Sequence, residues 1–191
     1  MSAPWFDRLS NAHKSSFVTY YSRSLHQGRG GCILPAMQIH LISVGNRMPD
    51  WVKTGYEEYA KRLPRECELL LKEIPLSQRG KNCDLTRLIK DEGERMNAAI
   101  PSGTHVVALE VMGKSWTTPE LALSLRRWLE SGKHIALLIG GPDGLADLAK
   151  TRADEYWSLS ALTFPHPLVR IIVAEQLYRA WSILHNHPYH R

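Results

Sequence analysis

The hydrophobic pattern changes period along the chain, and each change marks an element. Residues 37–44, MetGlnIleHisLeuIleSerVal, read as a strand stopped by Gly45 and Asn46. Pro49 and Asp50 then open a helix with Trp51, Val52, Tyr56, Tyr59, Ala60 and Leu63 on one face, ended by Pro64. Residues 66–74 form a second strand, closed by Pro75. From Asp84 to Ile100 the helical spacing returns, with Leu85, Leu88, Ile89, Met96 and Ala99 turned inward. Residues 105–111 are almost continuously apolar, as in a strand covered on both faces by a parallel fold, and end in Met112-Gly113-Lys114-Ser115. Thr117 or Thr118 caps a third helix with Pro119 near its first position, a stripe of Leu121, Ala122, Leu125, Trp128 and Leu129, and Gly132 as its stop.

The next stretch organises the rest. Residues 134–139 are a short apolar strand running into Gly140-Gly141-Pro142-Asp143-Gly144. A polar helix and a strand at 156–159 follow, and Ser160-Ala161-Leu162-Thr163-Phe164-Pro165 leads into a long helix from Pro167 to about Leu184. This alternation predicts an α/β fold built on an open parallel sheet, which binds ligands beyond the carboxyl ends of its strands. Three strand ends, 109–113, 139–144 and 159–165, would converge there and present backbone N–H and C=O groups to a flat ligand such as adenine. The turn lacks the Gly-Lys-Ser/Thr of a Walker A loop and is not GxGxxG in register with a helix. In the last helix Glu175, Gln176, Arg179 and Ser182 share one sector and apolar residues cover the remainder. Such a helix packs against more than one neighbour, either centrally or at a subunit interface. Arg170 lies opposite that sector near the helix start, where a cation opposes the dipole and calls for an acidic side chain or an anionic ligand.

Composition narrows the class. The 191 residues are 43% hydrophobic and 23% charged, an ordinary globular balance. No apolar run approaches the roughly 20 residues that cross a bilayer, so a soluble protein with no membrane partner is expected. Cys32, Cys67 and Cys83 are far apart and form no CxxC pair, which argues against a disulfide scaffold or zinc site and for a reducing compartment. Residues 1–36 differ from the rest: Arg8, Lys14, Arg23 and Arg29 face only Asp7, so this part carries +3 of the net +5. Without sustained period and ending in GlnGlyArgGlyGlyCys, it reads as a poorly ordered N-terminal extension or a start assigned too early, rather than a transit peptide, because Met37 opens a strand at once. The domain is then 37–191. The basic loop SerGlnArgGlyLysAsn, 77–82, is either a solvated loop or a phosphate contact. The tail His185-Asn186-His187-Pro188-Tyr189-His190-Arg191 lacks the accompanying carboxylates or cysteines of a metal site. It reads instead as a polar arm whose rings stack on bases and whose Arg191 meets phosphate, or as a frayed end. No Ser-His-Asp set, HExxH or mechanistic carboxylate pair is visible, so covalent hydrolysis has no support. Methyl transfer asks less of side chains, because the sulfonium of S-adenosylmethionine carries an already activated methyl group.

The motifs MetProAspTrpValLysThrGlyTyrGluGluTyr (48–59), ArgGlyLysAsn (79–82), LeuLeuIleGlyGlyProAspGly (137–144), TrpSerLeuSerAlaLeuThrPheProHisProLeuValArg (157–170) and AsnHisProTyrHisArg (186–191) resemble the RlmH family of SPOUT methyltransferases. The resemblance spans about residues 37–191. It implies a SPOUT-type parallel sheet flanked by helices with a C-terminal trefoil knot, a cytoplasmic homodimer with sites at the subunit interface, and no metal. It implies S-adenosylmethionine bound by Leu109, Gly140, Gly141 and the run Leu159, Ser160, Ala161, Leu162, Thr163 and Phe164. It also implies methylation of the N3 position of a pseudouridine in 23S rRNA within the ribosome. Because that nitrogen is a weak acid, a group must take its proton or stabilise its anion. Arg170, His166, Tyr189, His190 and Arg191 are the candidates, for substrate placement and charge stabilisation, with no base assigned. The alternatives are a non-catalytic ribosome-binding protein of the same fold, and a flavodoxin-like nucleotide module whose phosphate cradle is missing.

Overall fold

The computed structural model describes residues 36–80 and 84–191. The expected extension through Pro35, with Cys32, and the loop residues Lys81, Asn82 and Cys83 lie outside the described residues. Ala36–His190 form one compact unit, described below.

Five strands, β1 (Met37–Val44), β2 (Cys67–Ile74), β3 (His105–Ser115), β4 (Ile135–Ile139) and β5 (Glu155–Ser158), form one all-parallel sheet in the order β2-β1-β4-β3-β5. Parallel neighbours need crossovers, and helices supply them: α1 (Asp50–Ala60), α2 (Leu85–Ala99), α3 (Thr118–Ser131) and α4 (Asp147–Thr151), with α5 (His166–Leu184) closing the chain. All five residues of β4 are buried. Period-two geometry sends Ile135, Leu137 and Ile139 to one face, where they join Leu121, Leu125, Val173 and Leu177, and Ala136 and Leu138 to the other, with Met96 and Ala149. α1, α3 and α5 therefore cover one face of the sheet, and α2 and α4 the other.

Local chemistry sets the helix ends. Thr117 caps α3 by accepting from the Glu120 N–H while Glu120 accepts from the Thr117 N–H, a capping box, and Gly132 ends the helix at φ 65°. Asp84 caps α2 through the Arg87 N–H.

Several expectations are corrected. Trp51 and Leu85, placed inward by periodicity, are 56% and 43% exposed; each sits on the first turn of its helix, before the packed part begins at Val52 and Glu92. The strand expected to stop at Val111 runs to Ser115, with Leu109 and Lys114 both opposite Trp157, so residues 110–113 bulge outward. Gly113 permits that return, since a Cβ there would stand 2.8 Å from the Trp157 backbone.

Leu137 lies in the centre of the sheet with no exposure, whereas Met112 on the bulge is 95% exposed. Leu137→Ala should lose about 2–5 kcal/mol in urea denaturation, and Met112→Ser should stay within about 0.5 kcal/mol of the parent. Equal losses would place the core elsewhere.

Candidate functional site

The carboxyl ends of β3, β4 and β5 meet around one cleft of about 520 Å³, within the roughly 300–1,000 Å³ range of small-ligand sites. β4 delivers Ile139 to its edge, and the chain turns sharply through Gly140–Gly144. The Gly144 N–H donates to the Gly141 carbonyl at 3.0 Å, and Gly144 has φ 87°. A Cβ on Gly140 would lie 2.4 Å from the Gly144 carbonyl carbon, so the turn closes only on glycine. After β5, the Ser158 hydroxyl donates to the Ser160 carbonyl at 3.1 Å, and the Ser160 hydroxyl accepts from the Leu162 N–H at 3.0 Å. These bonds shape the loop that forms the opposite wall.

Of the expected cofactor residues, Leu109, Gly140, Gly141, Leu159, Ser160, Leu162, Thr163 and Phe164 line the cleft. Ala161 is exposed and lies off its wall. Trp157, Leu145, Glu110 and Val169 also line it and were missed. Their adjacency to the three strand ends was the available signal.

The residues expected to handle substrate are not brought together in one chain. His166 lines the cleft, while Arg170, Tyr189, His190 and Arg191 do not. Arg170 is 1% exposed and takes the protein-internal option: its Nη1 pairs with Glu73 at 2.5 Å, its Nε donates to the Ser43 hydroxyl at 3.1 Å, and its Nη2 faces the carbonyls of Val44 and Gly45. It thus ties the start of α5 to the ends of β1 and β2. Gly45, at φ 104°, holds a backbone conformation that L side chains rarely adopt, beside Met48, His166 and Arg170. Burial, and then the Arg170 charge, push the His166 imidazole below its ordinary range, which favours a neutral ring.

The tail forms a 3-10 turn, Pro188–His190, that packs back on α5. The Tyr189 hydroxyl bonds Glu175 at 3.1 Å, its ring is 4.7 Å from that of Tyr178, and Arg179 lies 5.0 Å over it. Burial and Glu175 raise the Tyr189 pKa, so the phenol is a donor here and not a base. Glu175 is six residues along α5 from Val169, the nearest residue of the helix to line the cleft, about 9 Å at 1.5 Å per residue, so the tail packs further along the helix than the cleft.

Arg79 of the basic loop is engaged by protein carboxylates, Asp143 at 2.7 Å and Glu92 at 3.3 Å, in place of the phosphate contact considered above. Lys81 and Asn82 lie outside the described residues. Cys67 is buried, and its thiol is pushed up to about 12 by burial. Among the described residues no group of three or more His, Cys, Asp or Glu could hold a metal ion, and no helix is long and apolar enough to cross a membrane.

Residues 37–190 match the family model described as "Predicted SPOUT methyltransferase". A relative from Methylococcus capsulatus, "Ribosomal RNA large subunit methyltransferase H", is 63% identical over 155 residues, which is 81% of this chain and 100% of the relative. Among solved structures, a probable methylase family protein from Haemophilus influenzae Rd KW20 superposes with a TM-score of 0.50 over 81% of this chain and 70% of its own, at 14% identity. That likeness speaks for the fold alone. A probable methyltransferase from Bordetella pertussis Tohama I gives 0.49 at 13% identity, over 76% of this chain and 97% of its own.

Gly140→Ala should distort the turn and cost about 1–3 kcal/mol in chemical denaturation. Gly80→Ala, where a Cβ meets nothing within 4 Å, should be neutral. A neutral Gly140→Ala would mean that the turn relaxes freely. His166 tests the electrostatics. Its folded pKa lies below the 6.5 of a free imidazole, so the unfolded chain takes up the proton first and stability falls as pH drops through that value. His166→Gln should lose less stability than the parent between about pH 7 and pH 5. His40, also shifted down, is common to both proteins and cancels. Identical pH profiles would refute the assignment.

Proposed function

The chain belongs to the SPOUT methyltransferase family, and on that premise we propose that it transfers a methyl group from S-adenosylmethionine to N3 of a pseudouridine in 23S rRNA of the assembled ribosome. The observation that carries this reading is the cleft itself. Three strand ends separated in sequence converge on a small-ligand volume whose walls are largely backbone and apolar side chains.

The donor group fits those walls. Gly140 and Gly141 put no side chain between the turn's backbone and the cleft, and the 159–164 loop faces them. When bound, S-adenosylmethionine supplies an activated methyl group on a sulfonium. What the chain must add is alignment, exclusion of water and care of the imide proton. Leu109, Leu159, Leu162 and Phe164 would exclude water around the donor. His166, held neutral at the cleft wall, is suited to accept a hydrogen bond there. Arg170 acts from behind by fixing the start of α5, which carries His166 and Val169.

Tyr189, His190 and Arg191 would position the RNA, and the distance between tail and cleft in one chain supports their delivery by a second copy. α5 supports the same homodimer: after packing on α1 and α3 it still leaves Leu168 exposed and Ile171 and Ile172 half-buried. The reading includes a C-terminal trefoil knot formed by the segments around the cleft, a 37–191 catalytic domain with an N-terminal extension, and a cytoplasmic setting. The described body carries little excess charge: residues 37–191 hold 20 Lys and Arg against 18 Asp and Glu, a net +2. Recognition would therefore lean on shape and on two combined surfaces rather than on a strong basic field.

Purified protein, labelled S-adenosylmethionine and ribosomes lacking the modification should yield a methylated pseudouridine by nucleoside mass spectrometry. Deleting Tyr189–Arg191 should abolish transfer while leaving S-adenosylmethionine affinity within about twofold. No methylated nucleoside from the intact protein would sink the proposal, and normal turnover by the truncation would sink the tail assignment.

A further inference from the structure

Arg79 reaches into the back of the glycine turn from the loop that follows β2. Its Nε and Nη2 donate to the same Asp143 carboxylate oxygen at 2.9 and 2.7 Å. Its Nη1 and Nη2 face the two oxygens of Glu92 on α2 at 3.3 and 3.5 Å, and Nη1 also donates to the Ser77 carbonyl at 3.1 Å. Glu92 is itself only 4% exposed and accepts from the Ser77 N–H at 2.9 Å. One guanidinium therefore bridges the 75–80 loop, α2 and the 140–144 turn, while Arg95 ties only the first two together, through the Pro75 carbonyl and the Ser77 hydroxyl.

Asp143 carries the only charge in that turn, and it does not line the cleft although Gly140, Gly141, Pro142 and Gly144 do. Its carboxylate is spent on Arg79, not on a ligand. Three of the turn's five residues are glycines, with no side chain to anchor them, and the Gly141–Gly144 bond closes the turn without fixing its tilt against the sheet. The tilt is set from outside. A Cβ on Gly141 would stand 3.4 Å from Glu92 Oε2, so the carboxylate that Arg79 holds lies just behind the turn. The guanidinium's planar fork is what lets one side chain address two carboxylates at once.

We infer that Arg79 is a positioning residue for methyl-donor binding, acting through Asp143 and Glu92 to hold the glycine turn at the angle that forms the cleft wall. This rests on the reading of the cleft as the S-adenosylmethionine site. Arg79 does not line the cleft, so its effect is on the shape of the wall and not on the transfer step.

The test is a double-mutant cycle on the full chain, with Arg79→Ala, Asp143→Ala and the pair. S-adenosylmethionine Kd is measured by calorimetry, KM and kcat by methyl transfer, and folding by thermal melting. Arg79→Ala should raise Kd and donor KM about tenfold with kcat within about twofold. The double variant should be no weaker than the worse single one, because both remove the same link. Arg79→Lys, which keeps the charge but cannot fork, should fall between parent and alanine and guards against a variant that fails to fold. A Kd for Arg79→Ala within about twofold of the parent, or losses that add in the double variant, would overturn the inference. A fall in melting temperature with unchanged Kd and KM would also overturn it, leaving a merely structural contact. If the parent itself binds no S-adenosylmethionine, the reading of the cleft fails, and that result is distinct from any of these.

Discussion

A guanidinium cannot leave water without compensation, and Arg170 is almost wholly out of it. From its place on α5 it draws partners from two strands at once: the Ser43 hydroxyl and Gly45 carbonyl at the end of β1, and Glu73 near the end of β2. Removing one partner of such a set strands a buried charge, at a cost of about 3–5 kcal/mol. This contact decides where α5 begins relative to the sheet. That start carries His166 and Val169 to the cleft, so the fourth side of the site depends on an interaction lying behind it.

The same division recurs around the glycine turn. Surfaces facing the cleft are mostly backbone and apolar side chains, while charged groups stand behind them and fix their angle. Arg170 does this for α5, and Arg79 with Glu92 and Asp143 does it for the 140–144 turn. For a ligand that brings its own activated group, such an arrangement is economical: reactive side chains are not needed, but misplacement of the wall is costly. A wall made of glycine also moves easily, which explains why it is buttressed from outside.

The tail adds a different constraint. Tyr189 is held by Glu175, Tyr178 and Arg179 on the outer part of α5, with its phenol kept protonated. Within one chain this cluster and the cleft occupy separate parts of the helix. Under the proposed function a site requiring both would need a second copy, for which the largely apolar helix that connects them offers a surface.

Periodicity is a local property, and what it carries was legible in residues alone. The β4 strand followed from a short apolar run, the α3 boundaries from Thr117 and Gly132, and the three convergent strand ends from small residues placed after strands, whereas the both-face burial expected over 105–111 holds only for Val106–Ala108. Where an element's surroundings mattered, the reading failed. Trp51 and Leu85 keep helical spacing yet stay exposed on the first turns of their helices, and the β3 bulge depends on the backbone of Trp157 across the sheet. The choice between a ligand and Glu73 for Arg170, and between phosphate and Asp143 for Arg79, joins residues 97 and 64 positions apart. The sequence by itself determined which segments become strands and helices and which strand ends carry the small residues that line the cleft, because those follow from side-chain period and backbone freedom. Only the tertiary structure decided which charges are spent inside the protein, because an ion pair is chosen by distance in space, and chain spacing carries no record of it.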